Sequence, residues 1–382
     1  MRIMGGRLIT AEGQEFENGY VDFKDGVITA FGDITEAGPA EGEVYDAEGG
    51  YIMPGFIDAH THIGILEQNV RWEGNDVNEM TDPVTPHLDA IDGIYPFDVA
   101  FADAVNSGVT SAVVGPGSAN VVGGTFVAIK LHGKRVDNMI IKNPIAMKCA
   151  FGENPKRCYG QGAKKSPMTR MGTAALLREL LFKTKRYLED KQAGKNPPFD
   201  MKLESMIPVI EGKLPLKAHA HRADDILTSI RIAKEFGVKL TLDHCTDGAL
   251  IADELAAENY PAFVGPTFGN KSKIELANKS FTTPKVLADA GVKVSIITDA
   301  PVIPLQYLPM CAALAVNAGL DTEYAWKAIT INAAESTGIS DRVGSLETGK
   351  DGDVVIWTAD PMTTVGAESY TTIIDGKIVY QA

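Results

Sequence analysis

The stretch Pro54-Gly-Phe-Ile-Asp-Ala-His-Thr-His-Ile-Gly64 decides how the rest of the chain is read. Pro54 and Gly55 break whatever precedes them, and Phe56 and Ile57 open a short apolar run. In an extended strand, residues two apart share a face. His60 and His62 therefore present two imidazoles side by side, with Asp58 one step deeper. Two neutral imidazoles on one face clamp a borderline metal such as zinc. A hydrogen-bonded pair of histidines at a strand end would read the same, so the remaining strands must supply the other ligands.

Downstream of this stretch, apolar strand-like runs alternate with amphipathic helical ones. The clearest unit follows Pro215. Leu216 to His219 is a predicted strand, and Asp224 and Asp225 fall in the first turn of a helix, where carboxylates suit the positive end of the dipole. Ile226, Ile230, Ala233 and Phe236 recur at helical spacing, Gly237 ends the helix, and Val238 to Asp243 is the next strand. The rhythm continues through Ala262-Phe-Val-Gly265, a helix opened by Pro284, and Val292 to Asp299. Such alternation implies a mostly parallel sheet. The middle of the chain has the size of a (β/α)8 TIM barrel, typically about 250 residues. No glycine-rich phosphate fingerprint opens an early βα turn, which disfavours a dinucleotide fold.

The two ends read differently. Arg7 to Thr10, Tyr20 to Phe23 and Val27 to Phe31 are short strands, with Asp25-Gly26 a hairpin signal. Asp353 to Trp357 and a hairpin turning on Asp375-Gly376 answer them near the other end. The expected organisation is an α/β fold, with residues 1–53 and 346–382 forming a small β-sandwich and 54–345 a (β/α)8 barrel.

In a barrel of this kind, chemistry sits where strands give way to loops at their C-terminal ends. Lys217-Ala-His219-Ala-His221-Arg222 ends one strand, Leu240-Thr-Leu-Asp-His244 the next, and Ile296-Ile-Thr-Asp299-Ala-Pro301 a late one. Together with His60 and His62 they offer nitrogens and a carboxylate from four strands. A lone buried histidine is usually a core residue, but this many at strand ends are not.

With these segments in view the chain resembles the amidohydrolase superfamily of metal-dependent hydrolases, in its imidazolonepropionase-like branch. The resemblance extends to the closing Gly344-Ser-Leu-Glu-Thr-Gly-Lys-Asp-Gly-Asp-Val-Val-Ile356 and covers essentially the whole chain. It implies a barrel with a β-sandwich built from both termini. It also implies metal ligation by His60, His62, His244 and Asp299. The fifth-strand ligand is His219 or His221, and spacing leaves both open, with His219 favoured and His221 placed near the substrate. Many relatives hold two metals bridged by a carbamylated lysine, and Pro144-Ile-Ala-Met-Lys148 makes Lys148 the candidate, with Lys130 and Lys142 as competitors. The cofactor expected is one or two divalent metal ions, zinc foremost. Homo-oligomers are common in the superfamily.

The expected chemistry is attack of a metal-bound hydroxide on an amide-like carbonyl carbon, with Asp299 as general base and then acid. His244 or His221 would stabilise the oxyanion. Cyclic or linear amides, including dipeptides and N-acyl amino acids, are the leading substrates. The alternatives are deamination of an amine-bearing heterocycle at a single metal, and a non-catalytic scaffold role. Arg157, Arg170 and Arg222 flank the expected barrel mouth, and one of them could clamp a substrate carboxylate. Cys149 and Cys245 adjoin proposed ligands and should turn toward the helix layer. Trp72 follows the first ligand strand in a polar loop, where it could line a pocket but is expected to pack in a lid.

Composition narrows the partners. The 382-residue chain carries a formal net charge of -14, which argues against nonspecific nucleic-acid binding. Its four cysteines are scattered without C-x-x-C spacing, as suits a reducing compartment. Met1 to Thr10 lacks an unbroken apolar core, and no run is long enough to span a membrane. A cytoplasmic protein acting on a small molecule is the expectation.

Overall fold

The computed structural model describes residues Met1–Ala382. Its strands are β1 (Arg2–Ile9), β2 (Glu15–Lys24), β3 (Val27–Asp33), β4 (Val44–Asp46), β5 (Tyr51–Pro54), β6 (Phe56–Thr61), β7 (Val109–Val114), β8 (Val122–Lys130), β9 (Ile140–Ala150), β10 (Leu216–Ala220), β11 (Leu240–His244), β12 (Ala262–Val264), β13 (Val294–Ile296), β14 (Val354–Trp357), β15 (Ser369–Ile374) and β16 (Lys377–Gln381). They form two eight-stranded sheets.

The second sheet runs in order from β6 to β13 and is the barrel. Closure comes at the ends of its edge strands, where His62 N donates to Ala300 O at 2.7 Å and Asp58 Oδ2 accepts from Thr298 N at 2.9 Å. Strands β9 to β13 pair in parallel, as do β6 and β7. Strand β8 is the departure from regular alternation, lying antiparallel to both β7 and β9. The reason is reach. A parallel return needs a crossover of about a dozen residues or more, and the short Gly115–Val121 connection permits only a hairpin. The glycine-rich segment Gly115-Pro-Gly-Ser-Ala-Asn120-Val-Val-Gly-Gly124 makes the turn of that hairpin and the start of β8.

Helices cover the parallel part. Ala223–Phe236 is the helix expected after β10, with Asp224 and Asp225 in its first turn and Gly237 closing it at φ +67°. Ile226, Ile230 and Ala233 are buried from that helix in one core with Leu240 and Leu242 of β11 and Met147 and Cys149 of β9. Cys149 thus faces the helices, as alternation requires, and Cys245 reaches the same core through a left-handed backbone at φ +46°. Trp72 departs from expectation, being 84% exposed: its loop packs through other residues. No helix is long and apolar enough to cross a membrane.

The first sheet draws strands from both ends of the chain, in the order β16-β15-β14-β5-β1-β2-β3 with β4 on β1. It encloses its own core, in which Ile3, Leu8, Val21 and Ile52 meet Val354, Ile356 and Ile373. Both hairpin signals were accurate. Asp25 and Gly26 adopt φ +52° and +84°, Asp375 and Gly376 +50° and +68°, the left-handed pair a two-residue hairpin demands. Phe56, first residue of β6, stacks 5.7 Å from Trp357 of β14 and 6.0 Å from Trp326, so the two sheets meet on aromatic rings just before the first histidines.

Candidate metal centre

The floor of the barrel is aromatic. Phe126 of β8 is fully buried with its ring 5.3 Å from that of His60. On this floor stand two groups of side chains. His60, His62 and Asp299 bring ligand atoms within 4.8 Å of one another, and so do His219, His221 and His244. Asp299 Oδ1 lies 3.4 Å from His60 Nε2 and 3.2 Å from His62 Nε2. The groups are contiguous, since the rings of His60 and His244 are 5.2 Å apart.

Strand geometry explains the convergence. His60 and His62 share the inward face of β6 and the residues just beyond it. Asp299 follows β13 in a left-handed backbone conformation, φ +56°, and His244 ends β11 at φ +75°. Such angles are strained for residues other than glycine and cluster at functional positions. On β11, Leu240 and Leu242 face the helices, so alternation aims Thr241 and Asp243 into the barrel. The left-handed turn at His244 then swings its ring inward as well. Two successive residues, Asp243 and His244, therefore both serve the interior.

Ring nitrogens are held in a consistent way. His62 Nδ1 donates to Gly115 O at 2.6 Å, and His244 Nδ1 to Gly265 O at 2.7 Å. Carbonyl oxygens only accept, so each of these rings keeps its Nε2 lone pair. His244 Nε2 is buried with no hydrogen-bond partner. His221 Nδ1 pairs with Thr246 Oγ1 at 2.8 Å. Burial, reinforced by neighbouring His244, holds His219 and His221 well below the ordinary imidazole range, and burial takes His244 to about 3. His219, His221 and His244 are thus neutral imidazoles beside an ionised carboxylate. Burial alone would raise Asp299, but His244, His60 and His62 around it keep it well below the usual carboxylate range. Converging neutral nitrogens, one orphaned, with an anionic oxygen are what a divalent cation requires. The donor set fits the metal expected from the sequence.

Lys148, near the end of β9, is fully buried with its Nζ 3.3 Å from His60 Nε2. Burial lowers its pKa. Its competitors are elsewhere: Lys130 binds Asp351, Asp353 and Asp375, and Lys142 donates to Gly338 O at the surface. His219 and His221 stand equally in the second group, and geometry leaves either free to ligate.

The three arginines expected at the mouth have no polar contact with the histidines. Arg170 is paired with Asp225 at 3.0 Å, Arg222 with Asp224 at 3.0 Å, and Arg157 is exposed. The carboxylates that sequence reading placed in the first turn of a helix draw two of these guanidiniums away. The cation beside the cluster is Lys273, which the sequence reading missed. It donates to Asn154 Oδ1 at 3.1 Å and lies 3.2 Å from buried Glu275, whose Oε1 is 3.9 Å from His221 Nε2. Asn154 in turn donates to Ser118 Oγ at 2.7 Å and toward His219 Nε2 at 3.4 Å. These residues come from the connections after β7, β9 and β12, where no periodicity marks them.

Three kinds of similarity bear on the family to which the chain belongs. A model of the amidohydrolase family matches residues 209–379. The crystal structure of an amidohydrolase from Thermotoga maritima MSB8 superposes with a TM-score of 0.96, at 39% identity over 100% of both chains. An imidazolonepropionase of Streptococcus pyogenes is 25% identical over 90% of this chain and 84% of its own length. The amidohydrolase tasK of Hapsidospora irregularis is 28% identical over 88% of this chain, which spans only 37% of that longer protein.

Proposed function

This chain belongs to the amidohydrolase superfamily, in its imidazolonepropionase-like part, and from that premise we propose that it is a metal-dependent hydrolase cleaving the C–N bond of a small cyclic or linear amide. The observation that carries the reading is the pair of adjoining ligand groups, His60, His62 and Asp299 beside His219, His221 and His244, with Lys148 against His60. His60, His62 and Asp299 would hold one cation. His244 with His219 or His221 would hold a second, Lys148 serving both as a carbamate. A bound divalent ion, zinc foremost, supplies acidified water and polarises a carbonyl.

The chain's own groups do the rest. Asp299, low in pKa and bordering both histidines of its group, is positioned to take the water proton and return it to the departing nitrogen. With His219 as the second-group ligand, His221 is left to donate from Nε2 toward the carbonyl oxygen where negative charge would develop, Thr246 Oγ1 donating to its Nδ1, whereas His244 has given its Nδ1–H to Gly265 O and keeps only a lone pair for the cation. Lys273 and Asn154 at the mouth offer hydrogen-bond donors to a polar substrate end. Similarity to imidazolonepropionases supports including imidazolones and hydantoins beside dipeptides and N-acyl amino acids among substrates to try.

The test joins metal analysis of the purified protein to a hydrolysis panel of those four classes. Turnover of one class by protein retaining a divalent metal is the expected result, a linear amide giving acid and amine in equal amounts and a cyclic one giving a single ring-opened product. Ammonia released from an aminated heterocycle at one metal per chain would make it a deaminase. Protein that takes up no divalent metal would leave a scaffold role.

A further inference from the structure

Beneath the two ligand groups lies a buried charge pair with no part in the chemistry above. Lys217 of β10 and Asp243 of β11 are fully buried, with Nζ 2.9 Å from Asp243 Oδ1. The other oxygen, Oδ2, lies 3.0 Å from His60 Nδ1, close but not aligned as a hydrogen bond, and neither of these two buried atoms has another partner. His60 differs in this from His62 and His244, whose Nδ1 atoms meet neutral carbonyls. It is the imidazole at the junction of the site, with Nε2 facing both Lys148 Nζ and Asp299 Oδ1. The carboxylate behind it can fix the ring only if the carboxylate is itself fixed.

Lys217 does that fixing. Its Nζ sits 3.5 Å over the face of Phe263 and 5.5 Å from Phe126, so aromatic rings bound it and Asp243 is its one ion partner. In register, Lys217 lies opposite Lys148 on one side and Thr241 on the other, which puts all three on the inward face. We infer that Lys217 is a positioning residue for the metal centre: by anchoring Asp243 it sets the orientation and tautomer of His60, presenting the Nε2 lone pair toward Lys148 and Asp299. A carboxylate behind a metal-binding histidine commonly changes metal affinity about 10- to 100-fold when removed.

The inference rests on the metal-centre reading, and the experiment separates the two. Full-length protein is stripped of metal and titrated with Co(II) and Zn(II) against a chelator. Failure of the wild type to bind either ion would refute the metal-centre reading itself. Given wild-type binding, Lys217→Met is expected to weaken affinity about 10- to 100-fold and alter the visible Co(II) spectrum, with far-ultraviolet circular dichroism unchanged. Because Lys217 acts through Asp243, adding Lys217→Met to Asp243→Asn should change affinity no further. That comparison also serves if the single lysine variant does not fold, since the double variant removes both charges together. Wild-type affinity and spectrum in Lys217→Met, or an additional loss of equal size in the Asp243→Asn background, would overturn the assignment.

Discussion

Asp299 occupies a left-handed backbone conformation immediately after β13, with Oδ1 between two imidazole nitrogens. Replacing it with asparagine keeps the shape and removes the proton acceptor. Asp299→Asn is expected to lower turnover by about 10²- to 10⁴-fold with the circular dichroism spectrum preserved. A near-normal rate would take Asp299 out of proton transfer. Lys148 has its own signature. Protein equilibrated with ¹³C-labelled bicarbonate should show a carbamate carbonyl resonance that Lys148→Met lacks, and identical spectra would exclude the bridging role. At this scale the sequence was legible where a side chain ends a strand, and that brought His60, His62, His219, His221, His244 and Asp299 to notice. It was illegible where a strand breaks its own alternation. Strict alternation cannot turn both Asp243 and His244 inward, and with Leu240 and Leu242 on the helix side it is the positive φ of His244 that brings its ring in beside Asp243. Proximity in sequence to the barrel mouth says nothing of the carboxylates at the next helix, where Asp225 and Asp224 pair with Arg170 and Arg222.

Among the elements, the turns after the strands hold the ring nitrogens. Gly265 follows β12 at φ +146°, and its carbonyl receives His244 Nδ1–H. A Cβ built there would lie 2.2 Å from Ile297 O, a backbone atom that cannot step aside. Gly265→Ala should therefore cost about 1–3 kcal/mol in stability and loosen metal binding with it, measured by urea unfolding and by chelator competition. Unchanged values in both would show that the turn does not hold the ring. The strand and helix runs from Pro215 to Asp299 were plain in the sequence because hydrophobic period and caps agreed there. The β7–β8 hairpin was not, since an apolar strand reads alike in either direction and only the shortness of its connection reveals the reversal.

For the molecule as a whole, the union of barrel and terminal sheet turns on Lys130. From β8 it reaches Asp353 at 2.5 Å, Asp351 at 2.9 Å and Asp375 at 3.2 Å, all from the far end of the chain. Burial alone would lower its pKa, but these carboxylates raise it above the ordinary 10.5. The stabilisation is thus complete below about pH 10.5 and is lost as pH rises through the raised value. Lys130→Met leaves buried Asp353 beside Asp375 with no cation, Asp351 keeping Arg342 at 2.7 Å, and should destabilise the protein by about 3–5 kcal/mol near neutrality. The deficit should narrow at pH 5, as acid neutralises the stranded carboxylates. A deficit independent of pH would mean that packing, not charge, is what was lost. Sequence alone foresaw a terminal sheet from its paired hairpins, but a salt link spanning more than two hundred residues leaves no local trace. The most direct test of the whole account is a crystal grown with Zn(II) and measured on either side of the zinc absorption edge. The account predicts anomalous peaks within coordination distance of His60, His62 and Asp299 and of His244 with His219 or His221. Ordered side chains in these positions with no anomalous peak among them would contradict it.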